Sequence, residues 1–496
     1  RKNVFPMRSL TLLSLLGTLS LAATCALDVR AAPLAQEPAK AATKPVPVVP
    51  VVPLVPPASR STESKDPALT ALEELRASIQ RLTLENGLRV VLNVDSTFPT
   101  VAVSMTYGVG SRNEEKGRSG FAHLFEHMMF QGSRHIKKGE HFTLVSARGG
   151  SMNGTTSEDR TNYYQVLPSN ELALGLWLEA DRLKWLSVTQ ENFENQRKVV
   201  QEEYRMRVAN APYRMGHIRL EELAYQGYWP YEHSTIGSME DLDNAQLEWV
   251  LAFHQRYYAP NNAVLTVAGN FDADEAVELI RHYFGEATRQ PSLSPFQFPA
   301  MPEQKAERRD QVEDSNIKTP GFYYAWPIAP THSAEHYAIE LAALVLTDGE
   351  SSRLYRDLVL GKALAQSVSA WTGDHPGQDM FQMQVVLTER AKLEAVQKAV
   401  DAQITALGTT GPTPEELARA VNRLRTQFIF GLQSNMHRAT RLGEYESIWG
   451  DARLLTRQLE GYLRVTPEAV KRAVSSMLVS SRRSVVEVNP ARKAAK

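Results

Sequence analysis

From about residue 73 the apolar positions become periodic, and the period switches repeatedly between two and about three and a half residues. Residues 82–92 (LTLENGLRVVL) alternate apolar and polar on both sides of Asn86-Gly87, which predicts a β-hairpin closed by a tight turn. A strand follows at 101–107, a helix at 119–131, and a strand at 163–167 ended by Pro168. Two helices are predicted at 171–186 and 190–210, then a strand at 263–268 and an amphipathic helix at 273–284. The Pro-rich, aperiodic run 290–302 (QPSLSPFQFPAMP) reads as part of an interdomain linker spanning 290–317. Beyond it the order restarts with a strand at 321–326, a helix at 333–346, a strand at 380–387, helices after Leu393 and Pro414, and a strand at 484–488. Each half ends on a similar strand, AVLTVAG at 263–269 and RSVVEVN at 483–489. The expected fold is α+β, a duplicated sheet-and-helix sandwich of two homologous domains at 73–289 and 318–490.

The chain before residue 73 has no such period. Arg1, Lys2 and Arg8 precede the apolar run 10–23, so residues 1–26 read as an export signal too short to span a membrane, leaving no transmembrane span in the mature form. Cleavage stays open between a small-x-small site at Thr24-Cys25-Ala26 and a lipobox-like Leu21-Ala22-Ala23-Thr24-Cys25, which would tether the chain through Cys25. A soluble or loosely tethered periplasmic protein is the preferred expectation. Residues 27–72 contain PVPVVPVVPLVPP, favour polyproline II and read as a spacer.

Composition then narrows the chemistry. The net charge of −1 gives no electrostatic reason to expect nucleic acid or an anionic membrane surface as partner. Cys25 is the one cysteine of the 496 residues, so there is no intramolecular disulfide, and a metal site must use histidine and carboxylate.

Such a set is present at His123-Leu124-Phe125-Glu126-His127. Residues four apart on a helix share a face, so His123 and His127 can grip one ion with Glu126 beside it. This H-x-x-E-H order is a signature of metal-assisted amide hydrolysis, and a catalytic zinc normally takes three protein ligands. The helix starting at Gln190 offers Glu202 and Glu203 as the third. Glu203 shares a face with Val199 and Val200 and so points inward, where a buried carboxylate needs a compensating cation; the competing partner is Arg207.

The sequence resembles the pitrilysin/insulinase family of inverted-motif zinc peptidases, which includes the mitochondrial processing peptidases. The resemblance rests on HLFEH with Glu203, and on GVGSRNE (108–114), NYY (162–164), NQRKVV (195–200), YAPNN (258–262) and DGESSRLY (348–355), and it spans roughly 75–490. It implies two homologous α+β domains, one zinc ion held by His123, His127 and Glu203, and Glu126 as the base that takes a proton from water and returns it to the leaving amine. It also implies that Met152, Asn153, Gly154, Thr155 and Thr156 form an edge strand that pairs with an extended peptide or unfolded-protein substrate.

Three positions depart from the family pattern. Single-chain members carry an arginine and, seven residues later, a tyrosine in the second domain; the aligned residues here are Val359 and Gln366, and Gln196 stands where many relatives have a glutamate. Neither Val359 nor Gln366 can stabilise an oxyanion as those groups do. The resemblance therefore implies the zinc-bearing subunit of a heterodimer, whose homologous partner lacks H-x-x-E-H and supplies the missing groups. The alternatives are a non-catalytic assembly subunit of the same fold and a zinc-dependent peptide-binding module.

Overall fold

The computed structural model describes residues 67–491; the expected export signal and the spacer up to residue 66 lie outside the described residues. The first sheet has six strands, β1 (Ile79–Thr83), β2 (Arg89–Val94), β3 (Thr100–Tyr107), β4 (Ser151–Thr156), β5 (Thr161–Pro168) and β6 (Ala263–Gly269), in the order β1-β2-β6-β3-β5-β4. The second has five, β7 (Arg308–Asp314), β8 (Gly321–Pro327), β9 (Ala365–Thr372), β10 (Met380–Leu387) and β11 (Ser484–Pro490), in the order β7-β11-β8-β10-β9. In both, a parallel pair (β2/β6, β7/β11) is followed by three antiparallel pairings. The two sheets are therefore one topology used twice, with β1 added to the first.

Strand alternation gives each sheet two faces. Along β3, Val101, Val103, Met105 and Tyr107 enter the first core together with the helices α2 (Phe121–Met128), α4 (Leu172–Trp185) and α5 (Gln190–Tyr204). Along β8, Phe322, Tyr324 and Trp326 enter the second core beneath the helices Ala334–Thr347, Leu393–Thr410 and Pro467–Met477. Each such side chain taken from water contributes about 1.5–3 kcal/mol.

The opposite face of each sheet is covered by a helix from the other half. α6 (Arg214–Ala224) follows α5 in sequence but packs on β7, β8 and β11. There Leu220 and the nearby Tyr228 and Tyr231 meet Tyr323, Val486 and Val488. Reciprocally, the helix Asn435–Trp449 lies on β3 and β6, with Ala439 against Ala102 and Ala268. Both contacts are close enough to require glycine: a Cβ on Gly216 would lie 2.3 Å from Val488, and one on Gly443 would lie 2.8 Å from the hydroxyls of Thr106 and Thr266. Those two hydroxyls are buried without hydrogen-bond partners, a cost that the close approach must outweigh.

The turns at the ends of the two edge hairpins also meet. Asp159, after β4, accepts from Arg112 Nη1 at 2.5 Å and from the Tyr231 hydroxyl at 2.9 Å, while its other oxygen lies 3.0 Å from Nδ1 of His375, after β9. Burial opposes a charged His375 ring, but the hydrogen bond and charge of Asp159, with Asp379 and Glu158 nearby, outweigh it and push the imidazole up to about 10.

Several expected boundaries change. α1 (Pro67–Ser78) begins inside the segment 27–72 assigned to the spacer, and β7 lies inside the linker expected at 290–317. β7 was hidden because its sequence RRDQVED is charged; it is an edge strand whose burial alternates without an apolar face. The helix expected at 190–210 leaves α-geometry after Tyr204, where Arg205–Ala209 form a π-helical turn that leads toward α6.

Gly443→Val is expected to lower stability by about 1–3 kcal/mol through overpacking, read as a lower urea midpoint. The His375 ring gains its proton affinity on folding, so its contribution is fully present below about pH 6.5 and is lost as pH rises toward about 10. Unfolding free energy should fall across that window, and His375→Gln should flatten the decline in denaturation curves taken at several pH values.

Candidate active site

The site is built on α2. Its N-terminus is held by Glu114, a buried residue of the GVGSRNE segment: Oε1 accepts from the Ala122 amide at 2.7 Å and Oε2 from the Gly120 amide at 2.9 Å. A carboxylate there satisfies free amides and complements the positive end of the helix. His233 Nε2 stands 3.1 Å from the same carboxylate. Glu114 and His233 carry no periodic signal, and sequence reasoning passed over their role.

One turn of α2 brings His123 and His127 to the same side, their rings 4.8 Å apart and nearly perpendicular. α5 crosses beside them and presents Glu203, with Oε2 3.2 Å from His127 Nε2 and Oε1 3.8 Å from His123 Nε2. The three side chains each offer a ligand atom within 4.8 Å of the others, the one such histidine and carboxylate set among the described residues. Glu203 is buried and Glu202 is exposed against Arg205, as the helical argument requires; Val199, used in that argument, is itself exposed, while Val200 is buried. Arg207, the competing partner, also contacts Glu203, at 2.7 Å from Oε1.

Burial drives the His123 ring down to about 3, with the neighbouring His127 adding to the effect, so His123 is neutral. Burial raises Glu203, but the hydrogen bond from His127 and the electrostatic pull of His123, His127 and Arg207 outweigh it and bring the carboxyl to about 2. Gln196, in the position of the relatives' glutamate, is buried and hydrogen-bonds the His127 ring. Two imidazoles and an ionised carboxylate are the donor set of a hydrolytic zinc site with room left for water and substrate. His123 Nδ1 is buried without a partner, and its Nε2 lies beyond hydrogen-bond reach of Glu203. A zinc ion fits these residues.

Glu126 turns the other way, under β4. Thr156 Oγ1 donates to its Oε2 at 2.5 Å, and Gly154 leaves room for it: a Cβ there would lie 3.0 Å from Glu126 Cγ. Burial raises the carboxyl, partly offset by the Thr156 hydrogen bond, toward the range useful for taking and returning a proton. Thr156 thus touches the candidate base itself, a contact that spacing alone does not reveal. β4 is the edge of its sheet, so one side of its backbone is unpaired. Met152 packs on the first core, Asn153 turns back to the Gly154 amide at 2.9 Å, and Thr155 binds Asn162 at 2.6 Å and Arg160 at 2.6 Å. The structure does not bring Val359 or Gln366 into a polar role near these groups. Val359 packs against the second core, and Gln366 donates to Thr319 Oγ1 at 3.0 Å and to the Leu387 carbonyl at 2.8 Å.

Residues 89–230 match the family model described as insulinase, peptidase family M16, and residues 244–424 match that of the M16 inactive domain. A protein named zinc protease PqqE from Helicobacter pylori is 30% identical over 369 residues, covering 74% of this chain and 83% of the relative. The chain belongs to the insulinase family, peptidase family M16. A zinc protease of Mycobacterium leprae is 28% identical, over 84% of this chain and 92% of its own. Among solved structures, a protease from Helicobacter pylori superposes with a TM-score of 0.79 at 28% identity, covering 83% of this chain and 99% of that one. An M16 inactive domain from Pseudomonas fluorescens shares the fold, with a TM-score of 0.74 at 18% identity. The M16 fold thus comes in forms named for proteolysis and in forms named inactive, and the half of this chain that matches the peptidase model is the half holding His123, His127 and Glu203.

Glu203→Gln is expected to weaken zinc binding by at least about a hundredfold, because loss of a ligand costs no less than loss of an outer partner. Glu126→Gln should retain the metal. Chelator competition followed by metal analysis distinguishes the two variants.

Proposed function

We propose that this chain is a zinc-dependent endopeptidase acting on peptides or unfolded polypeptides, and that it works as the zinc-bearing subunit of a heterodimer. The observation that carries the reading is that Glu126, next to His127 on the helix of the His123, His127 and Glu203 cluster, is hydrogen-bonded by Thr156 of the edge strand β4. An extended substrate paired with β4 through its main chain would lie over the base. Zinc supplies a Lewis acid that polarises the scissile carbonyl. Glu126 takes the proton of the attacking water and delivers it to the leaving amine, and the Thr156 hydroxyl keeps its carboxylate oriented for both transfers. The edge strand recognises backbone, which suits substrates of varied sequence.

The heterodimer is supported by what the second half lacks. Val359 has no hydrogen-bonding group and Gln366 is engaged by Thr319 and Leu387, so groups that stabilise the oxyanion come from a homologous chain without H-x-x-E-H. The apolar run 10–23 behind Arg1, Lys2 and Arg8 is what supports export to the periplasm in this reading; no helix among the described residues is long and apolar enough to cross a membrane.

A peptide-cleavage assay of the purified chain, with and without its co-purifying homologue, tests both parts. The expected outcome is slow cleavage alone, a rise of at least about tenfold with the partner, and loss by about 100–10,000-fold in Glu126→Gln. Full activity of the chain alone removes the partner. A zinc-loaded protein that cleaves nothing in either form is an assembly subunit or a peptide-binding module.

A further inference from the structure

The duplicated topology places a second cavity where the metal site has its counterpart. His123 and His127 are the third and seventh residues of α2; the third and seventh residues of the helix Ala334–Thr347, which occupies the same place in the second half, are His336 and Glu340. Glu203 is the fourteenth residue of α5, and the fourteenth residue of the helix Pro414–Gln433 is Gln427. Thr156 ends β4, and Thr372 ends β9, the corresponding edge strand. His336, Glu340, Gln427 and Thr372 all line one cavity of about 440 Å³. The position of the base Glu126 is taken by Ile339, which is buried in the second core, so this copy has nothing to move a proton.

What remains is rich in acceptors. Glu340 accepts from the Tyr462 hydroxyl at 2.7 Å and faces His336 Nε2 at 3.9 Å; among the described residues no lysine or arginine pairs with it. Burial pushes its carboxyl up to about 7, against the pull of the Tyr462 hydrogen bond and of His336. His336 Nδ1 lies 3.1 Å from the Ala329 carbonyl, so its Nε2 is the ring atom left on the side of Glu340. Asp374 Oδ2 binds Arg441 Nη2 at 2.8 Å, and its Oδ1 is buried with no partner. The cation in the wall, Arg441, is thus held by Asp374 and, at 2.8 Å, by Glu444. His332, also in the lining, sits in the left-handed backbone region with φ 68°, a conformation that surrounding contacts must maintain. The apolar walls are Tyr337 and Phe428. A metal is disfavoured, because His336 and Glu340 supply two ligand atoms and no third histidine, cysteine or carboxylate joins them among the described residues.

We propose that this cavity binds an organic monocation, the guanidinium or ammonium head of an arginine-like or lysine-like group, between Glu340, Asp374 and His336. Two carboxylates face one arginine in this lining, Glu340 has no cationic partner among the described residues and Asp374 Oδ1 has none at all, which selects a donor-rich cation; the aromatic walls suit its alkyl stem and its charge. The inference does not rest on peptidase activity.

Calorimetric titration of the full chain with N-acetyl-arginine amide, and with N-acetyl-citrulline amide, which has a similar shape and no charge, tests it. The arginine derivative is expected to bind at least about tenfold more tightly. Glu340→Gln and Asp374→Asn should each remove that preference while the zinc content stays at the wild-type level. His123→Ala, which damages the metal site, should leave it intact. Equal affinity for the two compounds, unchanged preference in both cavity variants, loss in His123→Ala, or no binding at millimolar concentration overturns the proposal. Uptake of zinc by His123→Ala that Glu340→Gln abolishes assigns the cavity to a metal, and overturns it equally.

Discussion

The exchange of one helix between the two sheets is the constraint on which the molecule depends. α6 covers the second sheet and the helix Asn435–Trp449 covers the first, each seated at a glycine. Without its visiting helix, each sheet would expose an apolar face: Tyr323, Val486 and Val488 in one case, Val91, Val264 and Ala268 in the other. Small residues at both seats bring backbone and strand close together and leave little room for a compensating shift. The two halves are therefore parts of one folding problem, although each has its own sheet and its own core.

That exchange also frames both cavities. α5 carries Glu203, and the chain then passes through the π-helical turn Arg205–Ala209 into α6, which is held by the other half. A π-helical turn rephases the side chains of a helix, and here it separates the face that presents a carboxylate to the histidines from the face that docks on β8 and β11. On the other side, the helix Asn435–Trp449 contributes Arg441 to the wall of the second cavity and Glu444 to a contact with Arg160, 3.9 Å away on the turn after β4. The same helix thus lines the second cavity and reaches the turn beside β4 in the first half.

The grouping of His123, Glu126 and His127 on α2 was legible because it is local. His123, Glu126 and His127 lie within one turn and a half, and the inward side of α5 at Glu203 rather than Glu202 is the side of Val200, while Val199 is exposed. The strands β3, β6, β8 and β10 were equally plain, each carrying one unbroken apolar face. What escaped were elements whose burial comes from distant partners. α6 is amphipathic only relative to a sheet about a hundred residues away. β7 is a charged edge strand that owes its place to β11, at the far end of the chain. The Thr156 bond to Glu126 and the Glu114 hold on α2 join residues 30 and 8 apart through tertiary geometry, which no spacing rule encodes. The correspondence of His336, Glu340 and Gln427 with the metal ligands became visible only when the two sheets could be laid over one another.

Glu203 stands two residues before the turn that leads to α6. The carboxylate that faces the two histidines and the helix that docks on β7, β8 and β11 are therefore set by one stretch of backbone, with only residues 205–213 between α5 and α6 to absorb a misplacement of either.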